Sequence, residues 1–120
     1  MDESELQALN QMTTPQLLEL MKKISDSVEY VYNGHSYSYY DVPREHWIVL
    51  KERILRKFPR WRRRLTGGFV LGEDIFIDKQ RTRGRDKLIV HEIGHTLGYG
   101  HTWKPTIMNP TWLLRWFNRF

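Results

Sequence analysis

The sequence predicts a compact α+β domain. Three observations carry that prediction. Apolar residues recur at helical spacing in two separate stretches, residues 15–27 and 43–58. Short runs rich in Val, Ile, Tyr and Phe lie between and after them, punctuated by Asn-Gly and Gly-Gly pairs, and these read as strands. A further helical stretch near Lys87 carries two histidines four residues apart. With 120 residues the chain is expected to be one domain, large enough for a real core. Five Trp, six Tyr and five Phe supply large side chains for it.

The elements follow in order. Residues 2–12 read as a short helix around Leu6 and Leu9. Thr14-Pro15 starts a second helix, because proline suits the first helical position. Leu17, Leu20 or Met21, Ile24 and Val28 give it one apolar face, expected to pack on the core. Val28 to Tyr32, Asn33-Gly34 and then Tyr37 to Tyr40 read as strand, turn and strand, since Asn-Gly is a strong hairpin signal. Pro43 to Phe58 reads as a helix with Trp47, Leu50, Ile54 and Phe58 on one face and charges on the rest; Pro59 ends it. Trp61 to Thr66 reads as an arginine-rich outer strand, and Phe69 to Leu71 and Asp74 to Asp78 as further strands. Arg81 to Arg85 reads as a loop, with Asp86 as N-cap of the histidine helix. Pro110 opens a last helix whose apolar face is Leu113, Trp116, Phe117 and Phe120.

Composition narrows the functional classes. There is no cysteine, so disulfides and thiolate metal sites are excluded. The acidic, polar start lacks the apolar core of a signal peptide, and no run approaches a membrane span. A soluble monomer is expected; the compartment is not legible. The net charge is +5, concentrated in residues 60–65 and between Lys79 and Lys87. Such clusters suit an anionic polymer, but no nucleic-acid fold signature accompanies them, and a solvated surface is the simpler reading.

The chemistry is concentrated in residues 91–101, which read His-Glu-Ile-Gly-His-Thr-Leu-Gly-Tyr-Gly-His. His91 and His95 fall one turn apart on one helix face, so both imidazoles can reach one ion. Gly98 stops the helix and turns the chain, which lets His101 approach from another side. Three histidine ligands leave a fourth position for water, as catalytic zinc sites do. Glu92 sits beside the metal as general base: it takes a proton from the zinc-bound water and passes it to the leaving amine. His35 and His46 have no partner at ligand spacing and are assigned ordinary surface or packing roles.

This stretch is H-E-x-x-H-x-x-G-x-x-H, followed seven residues after His101 by Met108 in Thr-Ile-Met-Asn-Pro. The combination resembles the metzincin zinc endopeptidases, with spacing most like the matrixin branch. The resemblance covers residues 86–110, and the order of elements is compatible from about residue 28. It implies a zincin-like fold: a twisted, mostly parallel sheet and a backing helix in the upper part (28–98), and a short lower part (99–120) with the Met-turn and terminal helix. Residues 1–27 match nothing in that pattern and form a helical extension. The substrate cleft lies between the two parts, with one catalytic Zn2+ at its floor. Met108 is then structural, an apolar floor beneath the histidines. Asp74, Ile75, Phe76 and Ile77 resemble the edge strand on which matrixins hold a peptide. Residues 102–112, with Trp103 and Trp112, are expected to shape the pocket.

The chain departs from the wider family in places. Asn109, Pro110, Thr111 and Trp112 follow the methionine, so the tyrosine that many metzincins carry there is missing, as in matrixins. No calcium-loop pattern is visible. The expected function is zinc-dependent hydrolysis of internal bonds in a peptide or protein substrate. Three other readings stand beside it: a zinc-stabilised binding module without catalysis, a basic nucleic-acid-associated protein on a protease fold, and an inhibitory N-terminal segment whose Asp2, Glu3 or Glu5 reaches the zinc.

Overall fold

The computed structural model describes residues 1–57 and 67–98. Among these residues the chain is an α+β domain of four helices and one four-stranded mixed sheet. The elements are α1 (Glu3–Gln11), α2 (Thr14–Ile24), β1 (Asp26–Tyr32), β2 (His35–Val42), α3 (Arg44–Lys57), β3 (Gly68–Leu71), β4 (Asp74–Asp78) and α4 (Arg85–Thr96). The arginine-rich strand expected at 61–66, Phe58, the Met-turn and the terminal helix lie outside the described residues. Among the described residues no helix is long and apolar enough to cross a membrane.

Local chemistry explains the helix starts. The Asp2 side chain accepts from the Glu5 amide at 2.8 Å and caps α1. Thr13 and Gln16 form a reciprocal capping box at the head of α2, with Pro15 in its first turn. The C-terminal carbonyls of α1 and its cap find a partner on another helix. Arg53 of α3 donates to Met12 O at 2.7 Å and to Asn10 O at 3.2 Å. A residue that reads as solvent-facing in sequence therefore ties α3 to α1.

The hairpin between β1 and β2 forms where Asn33-Gly34 predicts it. Both residues take positive φ, 55° and 79°, as a tight primed turn requires. A second tight turn at Gly72, φ 62°, joins β3 to β4. The sheet order is β1-β2-β4-β3. Both hairpins pair antiparallel, and only β2 and β4 run parallel, with α3 and β3 between them in sequence. The mostly parallel sheet is thus corrected to a mostly antiparallel one. Two tight turns force antiparallel neighbours, whereas a parallel pair needs a long crossover.

The expected edge strand is also corrected. Asp74, Ile75, Phe76 and Ile77 lie on β4, which has β2 on one side and β3 on the other. Ile75, Phe76 and Ile77 are buried, with no more than 2% exposed. Apolar residues in an unbroken run suit such an interior strand, buried on both faces.

Alternation along the strands divides the core into two layers. On one face Trp47, Phe69, Phe76 and Val42 pack with Leu9, Leu17, Met21, Leu50 and Ile54 of the first three helices. Trp47 meets Phe69 at a ring separation of 5.4 Å, and Phe69 meets Phe76 at 5.3 Å. On the other face Tyr39, Ile75 and Ile77 pack against Leu88, Ile89 and Ile93 of α4. The Leu17 and Met21 part of the α2 face is therefore core, whereas Ile24 is exposed and Val28 lies on β1 because the helix ends at Ile24. Leu17 is fully buried, and Leu17→Ala is expected to destabilise the whole domain by about 2–5 kcal/mol in denaturant unfolding. A loss below about 0.5 kcal/mol, the range of surface changes, would show that α2 only rests on the domain.

Candidate metal centre

The α4 helix begins at Gly84, which takes φ 65° and gives no side-chain cap. Asp86 is not the N-cap expected from sequence; it lies in the first helical turn, where a negative charge still meets the positive end of the helix dipole. Leu88, Ile89 and Ile93 anchor the helix on the sheet and fix its rotation. That rotation buries two polar residues, His91 and Glu92, each 4% exposed. Burying an ionisable group is costly unless it is hydrogen-bonded, paired or coordinates a metal, so their place on a core-facing helix is informative.

His91 and His95 converge. Their Nε2 atoms are 3.1 Å apart, and the rings are near perpendicular, at 89°. Two nitrogens bound to one tetrahedral zinc at about 2.05 Å lie about 3.3 Å apart, so the observed pair fits a shared ion closely. The same separation suits an N–H···N bond between two neutral rings. Either way, the helix brings the two ring nitrogens to one point, as their spacing predicts.

The helix then stops as expected. Gly98 takes φ 91°, and its amide donates to His95 O at 3.0 Å. The Leu97 amide closes the last turn on Ile93 O at 3.1 Å. Such a tight terminus turns the chain immediately after the second histidine. His101, the expected third ligand, and Met108 lie outside the described residues. Among the described residues no three His, Asp or Glu side chains converge as a metal-holding group.

Glu92 is seated between α4 and the start of β3. A Cβ on Gly68 would lie 3.5 Å from Glu92 Cγ and 2.7 Å from Ile77 Cδ1. Glycine at 68 thus leaves room for the Ile77 side chain and the Phe76 carbonyl, with the Glu92 stem at ordinary contact distance beside it. In the sequence this glycine reads only as punctuation, so its role beside Glu92 is missed there. Burial pushes the Glu92 carboxyl up to about 8. A cation at the two histidines would draw it back toward the charged form. Those opposed influences suit a group that must both take and release a proton near neutral pH.

The remaining candidates sit elsewhere. The α1–α2 pair packs on the sheet face opposite α4, and the Asp2 carboxylate is engaged in capping α1. The N-terminal amino group pairs with Glu45 at 2.7 Å. The placement therefore gives no support to acidic N-terminal residues reaching the histidines. The basic stretch 79–87 is partly built into the fold. Arg85 donates to Asp78 O at 3.1 Å, Arg81 O at 2.7 Å and Asp41 Oδ1 at 2.6 Å, and Lys79 pairs with Asp26 at 3.2 Å. Asp78, 2% exposed, accepts from Arg44 and from the Gln80 amide. The sequence carries no signal for this hub beyond an aspartate at the end of a strand.

Comparison with protein-family models, with curated proteins and with solved structures returns no match.

Proposed function

We propose that this chain is a zinc-dependent endopeptidase of metzincin type. The observation that supports the reading best is the close approach of His91 and His95, 3.1 Å apart, on a helix that also buries Glu92 and ends at Gly98. His91 and His95, with His101 from the following segment, would hold the ion. Zinc, when bound, supplies a Lewis acid that acidifies water and polarises a peptide carbonyl. Every other part belongs to the protein. Glu92 accepts the proton of the attacking water at a carboxylate oxygen, then delivers it to the departing amine nitrogen. Its apolar seat keeps that carboxyl oriented and shields it from bulk water.

The substrate strand is reassigned in this reading. Among the described residues β3, not β4, is the sheet edge on the Glu92 side. A peptide that adds to the outer edge of β3 would run past Glu92 at Gly68 and gain main-chain hydrogen bonds independent of its sequence.

The test is hydrolysis of an unfolded protein substrate by zinc-loaded chain. Cleavage is expected to stop with a chelator and to return with added zinc. A chain that melts higher with zinc yet cuts nothing would instead be the zinc-stabilised binding module.

A further inference from the structure

The two glycines that open β3 link parts of the molecule that are distant in sequence. A Cβ on Gly68 would lie 3.5 Å from Glu92 Cγ, and one on Gly67 would lie 3.1 Å from Arg81 Cγ. These contacts, one Cα spacing and two Cα–Cβ bonds bound the separation of the Glu92 and Arg81 stems at about 13 Å. Arg81 therefore stands close to the general base of the proposed enzyme.

Arg81 is not alone there. Arg83 follows two residues later and is exposed. Arg44, at the start of α3, is half-exposed and pairs with the buried Asp78. Burial pulls the Arg81 pKa down; Arg83 and Arg44 lower it further, while Asp78 opposes them. Arg83 and Arg44 are thus each within Coulombic reach of Arg81, as is the buried Asp78 carboxylate. Lys79 is paired with Asp26 and Arg44 with Asp78, so each adds less than the exposed Arg83. The result is a positive patch at the end of β3 nearest Glu92.

We propose that Arg81, Arg83 and Arg44 select substrates that carry an Asp or Glu side chain within about four residues of the scissile bond. The proposal rests on the endopeptidase reading. An extended peptide advances about 3.3 Å per residue, so four residues cover the separation from Glu92 to the cluster. A peptide along the outer edge of β3 passes Gly68 beside Glu92 and then reaches the arginines beyond Gly67. Guanidinium groups present forked donors that match a carboxylate. The pairs formed are partly exposed, so each contributes up to about a five-fold preference, and salt weakens it.

Two measurements test this. First, a diverse peptide mixture is cut by zinc-loaded native chain and by Arg83→Glu. The native chain should show Asp or Glu enriched at one position within four residues of the cut, and Arg83→Glu should lose that enrichment. Cuts without acidic enrichment overturn the selective role of the cluster and leave the endopeptidase standing. Second, Glu92→Gln protein is titrated with an uncleaved acidic peptide and with its Asn/Gln counterpart, at low and high salt. The acidic peptide should bind several-fold tighter, with the advantage lost at high salt and in Glu92→Gln combined with Arg83→Glu. Equal binding of the two peptides overturns the proposal. A native chain that cuts nothing but keeps the acidic preference overturns the endopeptidase reading and retains the cluster as an acidic-peptide site. Because Arg83 is exposed, its replacement should leave the fold intact.

Discussion

Glu92→Ala is expected to abolish peptide hydrolysis while zinc remains bound. General acid–base groups contribute about 10²–10⁴-fold, and Glu92 is assigned both proton transfers, so the loss should lie at the upper end of that range. Glu92→Gln is the companion variant, because it keeps the shape packed beside Gly68 and removes the ability to carry the proton. The two variants should therefore share the loss of turnover. Both should retain one zinc per chain by elemental analysis, since the carboxyl is not a ligand in this account. Turnover close to native in either variant would remove Glu92 from the mechanism.

His101→Ala is expected to lower zinc affinity by more than about 100-fold. Changes to groups that merely orient metal ligands cost about 10–100-fold, and loss of a ligand should exceed that. His95→Ala is the internal standard, because the His95 ring is seen within 3.1 Å of the His91 ring. The measurement is metal stoichiometry after equilibration with a competing chelator. A His101→Ala chain that holds zinc as tightly as the native chain would show that the third ligand is another residue. The ion then contributes to stability too, so the native chain should melt at a lower temperature after chelation.

Parts of this fold are legible in local sequence because their causes are local. The hairpin at Asn33-Gly34 needs two residues that tolerate positive φ, and the chain supplies them. The helix stop at Gly98 has the same origin. The apolar faces of α2 and α3 follow from spacing, and Leu17, Met21, Trp47, Leu50 and Ile54 are buried where that spacing points. The convergence of His91 and His95 needs only helical geometry.

The parts that are not legible depend on partners distant in the chain. The family resemblance implies a mostly parallel sheet, whereas the Asn33-Gly34 signal by itself implies one antiparallel pair, and the turn at Gly72 adds a second. The run Ile75-Phe76-Ile77 reads as a strand, but its interior position is decided by where β2 and β3 dock. Arg53 and Arg85 look like solvated charges until the carbonyls and carboxylates that they meet are folded beside them. Gly68 looks like punctuation until Ile77 of the neighbouring strand is packed against it. For the proposed site, sequence names the candidate groups, and folding decides which strand lies beside them.

The most direct measurement of the central claim is a cleavage survey of a diverse peptide mixture by mass spectrometry, with zinc-loaded native chain and Glu92→Ala run side by side. The account predicts cuts at internal bonds by the native chain alone. The same cuts from both proteins, or none from a native chain shown to hold zinc, would contradict it.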